Sequence, residues 1–324
     1  MNELLQKAFR GAQIADALAM PVHWYYDRAA LRRDYGVVDR YLSPRNPHPD
    51  SILWRSNYEA LNERGDILRK QVKYWGQRNI HYHQFLKAGE NTLNFRLAAE
   101  LFQLVSVAGH YSPDTWLALY IDRMLDPHWN RDTYAEEYHR AFFTHYAEGR
   151  APEKCGIVDE HIGGLSTVPA LVAALGPSLP LDEIRQTVRR HVALTHAHDG
   201  VLQAADTLVR LLFALQQGVP LRDALAKEAR DWLSISEAKS LAEKDDEQVI
   251  GVRFSSACYI AEAMPAALYL AWKYHDDFKA GIVANSMLGG DSCHRGAVVG
   301  SLLGAASEEL WIPPGGVVPS GHIT

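Results

Sequence analysis

The chain has 324 residues, 47% hydrophobic and 22% charged, with 33 Lys and Arg against 39 Asp and Glu for a net charge of −6. This balance offers no broad basic field, which excludes nucleic acid and anionic membrane surfaces as main partners. Three well-separated cysteines, Cys155, Cys258 and Cys293, make no disulfide framework, and no 18-residue apolar run spans a membrane, so a cytoplasmic protein is expected.

Helical periodicity begins at once. Leu4, Leu5, Ala8, Phe9, Ala12, Ala15 and Ala19 recur at spacings of three and four, with Asp16 among them and Pro21 and His23 just beyond. Residues 40–82, with Pro44 and Pro47, read as irregular. Gly89 and the following Asn91 or Thr92 predict a helix start, and 94–109 and 115–125 continue with helical spacing. In DEHIGGLSTVPALVAAL (159–175), Gly163 and Gly164 precede a helix start at Ser166 and Thr167. Helical patterns return over 182–196, 201–218 and 261–274, while 235–256 reads as irregular. The last helix is predicted from Ser292 to about Leu310, with Gly296, Gly300 and Gly304 four apart, a stripe that admits a neighbouring helix closely. Alternating apolar and polar runs are scarce. The expected fold is all-α, an orthogonal helical bundle forming a single domain over 1–324.

Polar groups gather at four places next to glycines or helix starts. Asp16 interrupts an apolar helix, either as a buried tie between helices or as a functional acid. Glu90 and Asn91 lie at the positive end of a helix, which favours an ionised carboxylate suited to a base, a nucleophile or a metal ligand, or simply to capping. Gly163, Gly164 and Ser166 could present backbone N–H groups to an anion or to sugar hydroxyls. In GGDSCHRG, Asp291 stands at an N-cap, followed by Cys293 and His294. Trp24, Tyr25, Tyr26 and Trp54 are available to stack on a base or sugar, or to form a satellite core.

In order, these stretches resemble the ADP-ribosylglycohydrolase family, including its dinitrogenase-reductase-activating members. Ala15-Asp16-Ala17-Leu18-Ala19-Met20-Pro21 is similar to the family's G-D-A-L-G-x-P, and Ala193-Leu194-Thr195-His196-Ala197-His198 to its S-L-T-H-x-H. Residues 284 to 306 resemble its closing A-x-N-x-G-G-D-x-D-T and the Gly- and Ala-rich helix that follows. The resemblance implies an all-α enzyme that hydrolyses glycosidic bonds of ADP-ribose, with two Mg²⁺ ions held largely by carboxylates. Carried over by position, its metal ligands fall on Gly89, Glu90 and Asn91 and on Asp291, Cys293 and His294. Only Glu90 and Asp291 are carboxylates there, while Cys293 and His294 are softer donors.

The resemblance thus implies a glycoside or N-ribosyl hydrolase with Glu90 and Asp291 as key carboxylates and His294 or Asp16 transferring a proton. Asn91, Gly163, Gly164, Ser166 and His196 are the expected substrate-binding residues. The substrate is a small sugar- or ribose-containing molecule or a modified protein side chain. Two alternatives stand beside this one. Glu90, Asn91, Asp291, Cys293 and His294, with His81 and His83 nearby, could hold magnesium or a transition metal such as zinc. Alternatively, the chain is an inactive, ligand-binding descendant of the family.

Overall fold

The computed structural model describes residues 3–176 and 178–317. Its helices are α1 (Glu3–Ala19), α2 (Arg28–Tyr35), α3 (Leu93–Ala108), α4 (Pro113–Leu125), α5 (Glu137–Ala147), α6 (Val168–Leu175) and α7 (Leu181–Ala193). They continue with α8 (Asp199–Gln216), α9 (Leu221–Glu228), α10 (Ile235–Ala242), α11 (Asp246–Val249), α12 (Ile260–Lys273), α13 (Phe278–Met287) and α14 (Ser292–Ala306). Among the described residues there is no strand, only isolated bridges such as that between His161 and Tyr259. The fold is all-α.

The first and last helices, α1 and α14, pack against each other. Helix α14 is buried from Ser292 to Ala305, and α1 is buried from Gly11 to Ala19. Their backbones touch through glycine. A β-carbon on Gly304 would lie 2.7 Å from the Lys7 carbonyl oxygen and 3.0 Å from Gly11 Cα, and one on Gly300 would collide with the Gly11 carbonyl. The four-residue glycine stripe is therefore a groove into which α1 sinks, and close packing outweighs glycine's poor helix propensity. This packing holds the start of α14 against the loop that follows α1.

Two local expectations change, and a third stretch is irregular as expected. Residues 235–256 contain α10 and α11, started by Ser234 and Asp245, whose side chains accept from the backbone N–H of Glu237 and Glu247. Ala238 and Leu241, three apart, are the buried face of α10, too short a pattern to stand out among charges. Helix α14 stops at Ala306 rather than near Leu310, because Ser307 turns extended (φ −87°, ψ 145°) and its hydroxyl donates back to the Leu303 carbonyl. Residues 40–82 hold only short 3-10 turns, yet they supply the buried His48, His81 and Tyr82.

Candidate functional site

The GGDSCHRG turn is built by backbone pairing across the chain. Gly289 and Gly290 both have φ of 61°, and a β-carbon on Gly290 would run into the Ser256 carbonyl. That freedom lets Trp24 N–H donate to the Gly290 carbonyl at 2.7 Å and Gly290 N–H donate to the Tyr25 carbonyl at 2.6 Å. The buried Arg295 guanidinium donates to the carbonyls of Asn285 and Gly289 and to Asn285 Oδ1 at 2.8–3.0 Å, fastening the same turn from behind. Asp291 is thereby the N-cap of α14 and is set against His23.

A continuous line of buried polar side chains follows. His83 Nδ1 lies 2.8 Å from Asp132 Oδ1, and His83 Nε2 lies 2.8 Å from His23 Nδ1. His23 Nε2 is 3.0 Å from Asp291 Oδ1, and His294 Nδ1 is 2.8 Å from the same oxygen. His294 Nε2 then lies 3.2 Å from Glu136 Oε1. Asn94 Nδ2 sits 2.8 Å from both Glu136 Oε1 and His294 Nε2, while Asn94 Oδ1 accepts from Tyr138 and His139.

The electrostatics follow from burial and partners. Burial pushes the His23 imidazole down to about 3, so this ring is neutral near pH 7. The three contacts joining Asp132, His83, His23 and Asp291 need one hydrogen each, whereas two neutral rings bring only two. Burial alone would raise the Asp291 carboxyl, but the charge of His294 and the hydrogen bond from His23 outweigh it and hold Asp291 ionised. Burial likewise opposes charge on His294, and Asp291 and Glu136 overcome it, so this imidazole is raised well above its ordinary range.

Beyond Glu136 opens a cavity of about 370 Å³, walled by Trp24, Tyr26, Tyr82, Tyr134 and Tyr259. Trp24 has φ of 61°, a backbone conformation costly for a bulky residue. It is held there by the Gly290 bond and by stacking on His23, with ring centroids 3.7 Å apart. Glu136 keeps 17% of its side chain exposed, against 1% for Asp291, so Glu136 alone of the two can meet a ligand. His161 and Cys258 also line the cavity, with His161 Nδ1 donating to Asp159 Oδ1 at 2.8 Å. The Asp159 hydrogen bond and the neighbouring Cys258 push His161 up to about 11, while burial pushes the Cys258 thiol up.

The residues anticipated from sequence divide between this site and other roles. Asp291 and His294 are in it, and Gly163 borders it, since a β-carbon there would lie 3.1 Å from Glu136 Oε2. Gly164 packs on His196, and Ser166 and His196 line a small cavity of about 30 Å³ that Asn94 and Gly163 also border. Asp16 accepts from Asn91 Nδ2, Thr92 N–H and the Thr92 hydroxyl at 2.6–3.0 Å, tying α1 to the start of α3. Tyr25 is buried against Asp34 and Trp54 stacks under Arg78, so of the four aromatic candidates only Trp24 and Tyr26 reach the cavity.

Glu90 does not join Asp291. It is ion-paired to Arg131, accepts from Lys87 N–H, and lines another cavity with Gln13, Arg96 and Trp129. The carboxylate facing the site instead is Glu136, which the sequence reading passed over together with Asp132. The signal was present in Tyr138, Phe142, Phe143 and Tyr146, spaced as one face of α5, with Glu136 immediately before that helix.

The magnesium pair that the family resemblance implies does not fit these residues. Asn91 turns its amide nitrogen to Asp16 and the Gln13 carbonyl, Gly89 brings no side chain, and Cys293 is buried with Ala19, Met20 and Leu86. Mg²⁺ requires converging oxygen donors, and here the carboxylates of Asp132, Asp291 and Glu136 are held apart by the imidazoles between them. His81, the other histidine of the anticipated metal cluster, spends both ring nitrogens on backbone, the Pro21 carbonyl and His83 N–H.

The comparisons with known proteins agree with the fold. A solved structure described as an ADP-ribosylglycohydrolase-related protein complex is 20% identical, covers 94% of this chain and 88% of its own, and superposes with a TM-score of 0.56. No curated protein sequence matches. The ADP-ribosylglycohydrolase family profile matches residues 3–318, nearly the whole chain. This protein belongs to the ADP-ribosylglycohydrolase family, and that membership supports a glycohydrolase-type activity.

Proposed function

We propose that the chain hydrolyses the glycosidic bond of a small ribose- or sugar-containing substrate bound in the aromatic cavity, with Glu136 as the carboxylate at the reacting carbon. The observation that carries this reading is the placement of Glu136: it is the cavity carboxylate tied through His294 to Asp291, at the end of a buried polar line. Family membership supplies the reaction class, and the aromatic walls suit the flat faces of a base or a sugar.

The chemistry follows from the groups present. As the glycosidic bond breaks, its electron pair leaves with the departing group, which takes a proton from His161, kept protonated by Asp159. The oxocarbenium-like carbon faces Glu136, which removes a proton from water as the hydroxyl adds to that carbon. Asp291 is too buried to touch substrate and acts by positioning His294, which in turn orients Glu136.

The test is a panel of ADP-ribosylated peptides, ADP-ribose, nucleosides and aryl glycosides, followed by release of the free sugar. Turnover that falls about 10²- to 10⁴-fold in Glu136→Gln, with binding retained, supports the reading. Turnover unchanged in Glu136→Gln overturns it. Ligand binding by calorimetry with no release from any class favours the binding-protein alternative.

A further inference from the structure

We propose that His23 Nε2, His294 Nδ1 and an Asp291 carboxylate oxygen bind one transition-metal dication of the zinc type, with nitrogen-rich donors in place of an oxygen-rich magnesium set. Among the described residues these three offer ligand atoms that all lie within 4.8 Å of one another, and all three residues are buried. The two nitrogens sit 3.0 and 2.8 Å from Asp291 Oδ1. That spacing is close to the edge of about 3.2 Å expected between ligands of a tetrahedral ion with bonds of about 2.0 Å. Two imidazoles and one carboxylate suit zinc and its neighbours, and magnesium poorly.

The hydrogen-bond pattern accommodates an ion at the place those distances mark. The line Asp132–His83–His23–Asp291 has three contacts and two rings, so neutral imidazoles leave it one hydrogen short. A cation at the His23–Asp291 contact removes the shortfall. His23 Nδ1–H then donates to His83 Nε2, His83 Nδ1–H donates to Asp132, and both rings stay neutral. This is the outer support that metal-bound histidines require, with a carboxylate fixing the tautomer of the ligand through one intervening ring. The third ligand, His294, is brought in by the same Asp291 that caps α14. The ion would lie behind Trp24, whose indole stacks on His23 and walls the cavity.

The site does not depend on which bond the protein cuts, so its test needs no substrate. Untagged full-length protein, stripped with chelator, is incubated with Zn²⁺, Co²⁺ or Mg²⁺ in turn, and bound metal is measured after gel filtration. The expected result is one Zn²⁺ or Co²⁺ per chain and no retained Mg²⁺, with the intense visible absorption of low-coordinate Co²⁺. His23→Gln loses the ion, and His83→Gln, which touches no ligand atom of the site, weakens binding about 10- to 100-fold. Circular dichroism confirms that each variant is folded, and the wild-type Co²⁺ spectrum stands if one is not. No retained Zn²⁺ or Co²⁺ in the wild type, or retention unchanged in His23→Gln, overturns the proposal.

Discussion

His23 Nε2 and Asp291 Oδ1 are 3.0 Å apart and each residue is 99% buried, although 268 positions separate them in the chain. The pairing exists because α1 and α14 interlock through glycine and because Gly290 exchanges two backbone hydrogen bonds with the 24–25 turn. Everything proposed for the site depends on that meeting of the two helices.

Glu136 and Glu90 can be told apart kinetically. Glu136→Gln is expected to lower kcat by about 10²-fold or more, whereas Glu90→Gln, which breaks a partly exposed pair with Arg131, leaves kcat within about threefold. The reverse order in a steady-state comparison would return the catalytic role to Glu90.

Asp291→Asn should destabilise the fold by about 3 kcal/mol near neutral pH, because it removes the charged partner of buried His294. The sign with pH is fixed by two shifts. Asp291 is depressed in the fold, so its contribution is complete above its unfolded value of about 3.9 and is lost as pH falls. His294 is raised, so its contribution is complete below about 6.5 and is lost only as pH rises through its raised folded value. Urea unfolding of wild type and variant should therefore show the largest difference between about pH 4 and 6.5, shrinking as the solution is acidified. A difference that grows below pH 4 contradicts the assignment.

Gly300→Ala should cost about 1–3 kcal/mol and lower Tm, because the new methyl group meets the Gly11 carbonyl and forces α1 and α14 apart. Since the same contact aligns His23 with Asp291, activity should fall more than the loss of folded protein explains. Thermal unfolding beside specific activity per folded molecule separates the two effects.

Cys258 should be the first thiol to react with iodoacetamide in the native protein. Cys155 and Cys293 are fully buried, and Cys258 is half-buried beside His161 on the cavity wall. Its raised pKa predicts labelling that accelerates above pH 9. Peptide mapping that finds Cys155 or Cys293 modified first would contradict the packing described for them.

The all-α class, the principal long helices and the family were legible in the sequence. Apolar residues three and four apart recur over long segments, and the glycine stripe and GGD turn are themselves local features. Asp291 and His294 were legible for the same reason, as neighbours in one turn. Their partners were not. Whether Glu90 or Glu136 faces Asp291 depends on how α3, α5 and α14 converge, and neither residue's local context distinguishes a surface ion pair from a cavity carboxylate. His23 and His83 are ordinary histidines until three elements bring them into line with Asp132 and Asp291. The sequence by itself determined periodicity, turn chemistry and the presence of a capping acid, all set within a few residues. Only the tertiary structure decided which buried polar groups share hydrogens, because unpaired polar groups in a low-dielectric interior are satisfied by whatever the packing brings within about 3 Å.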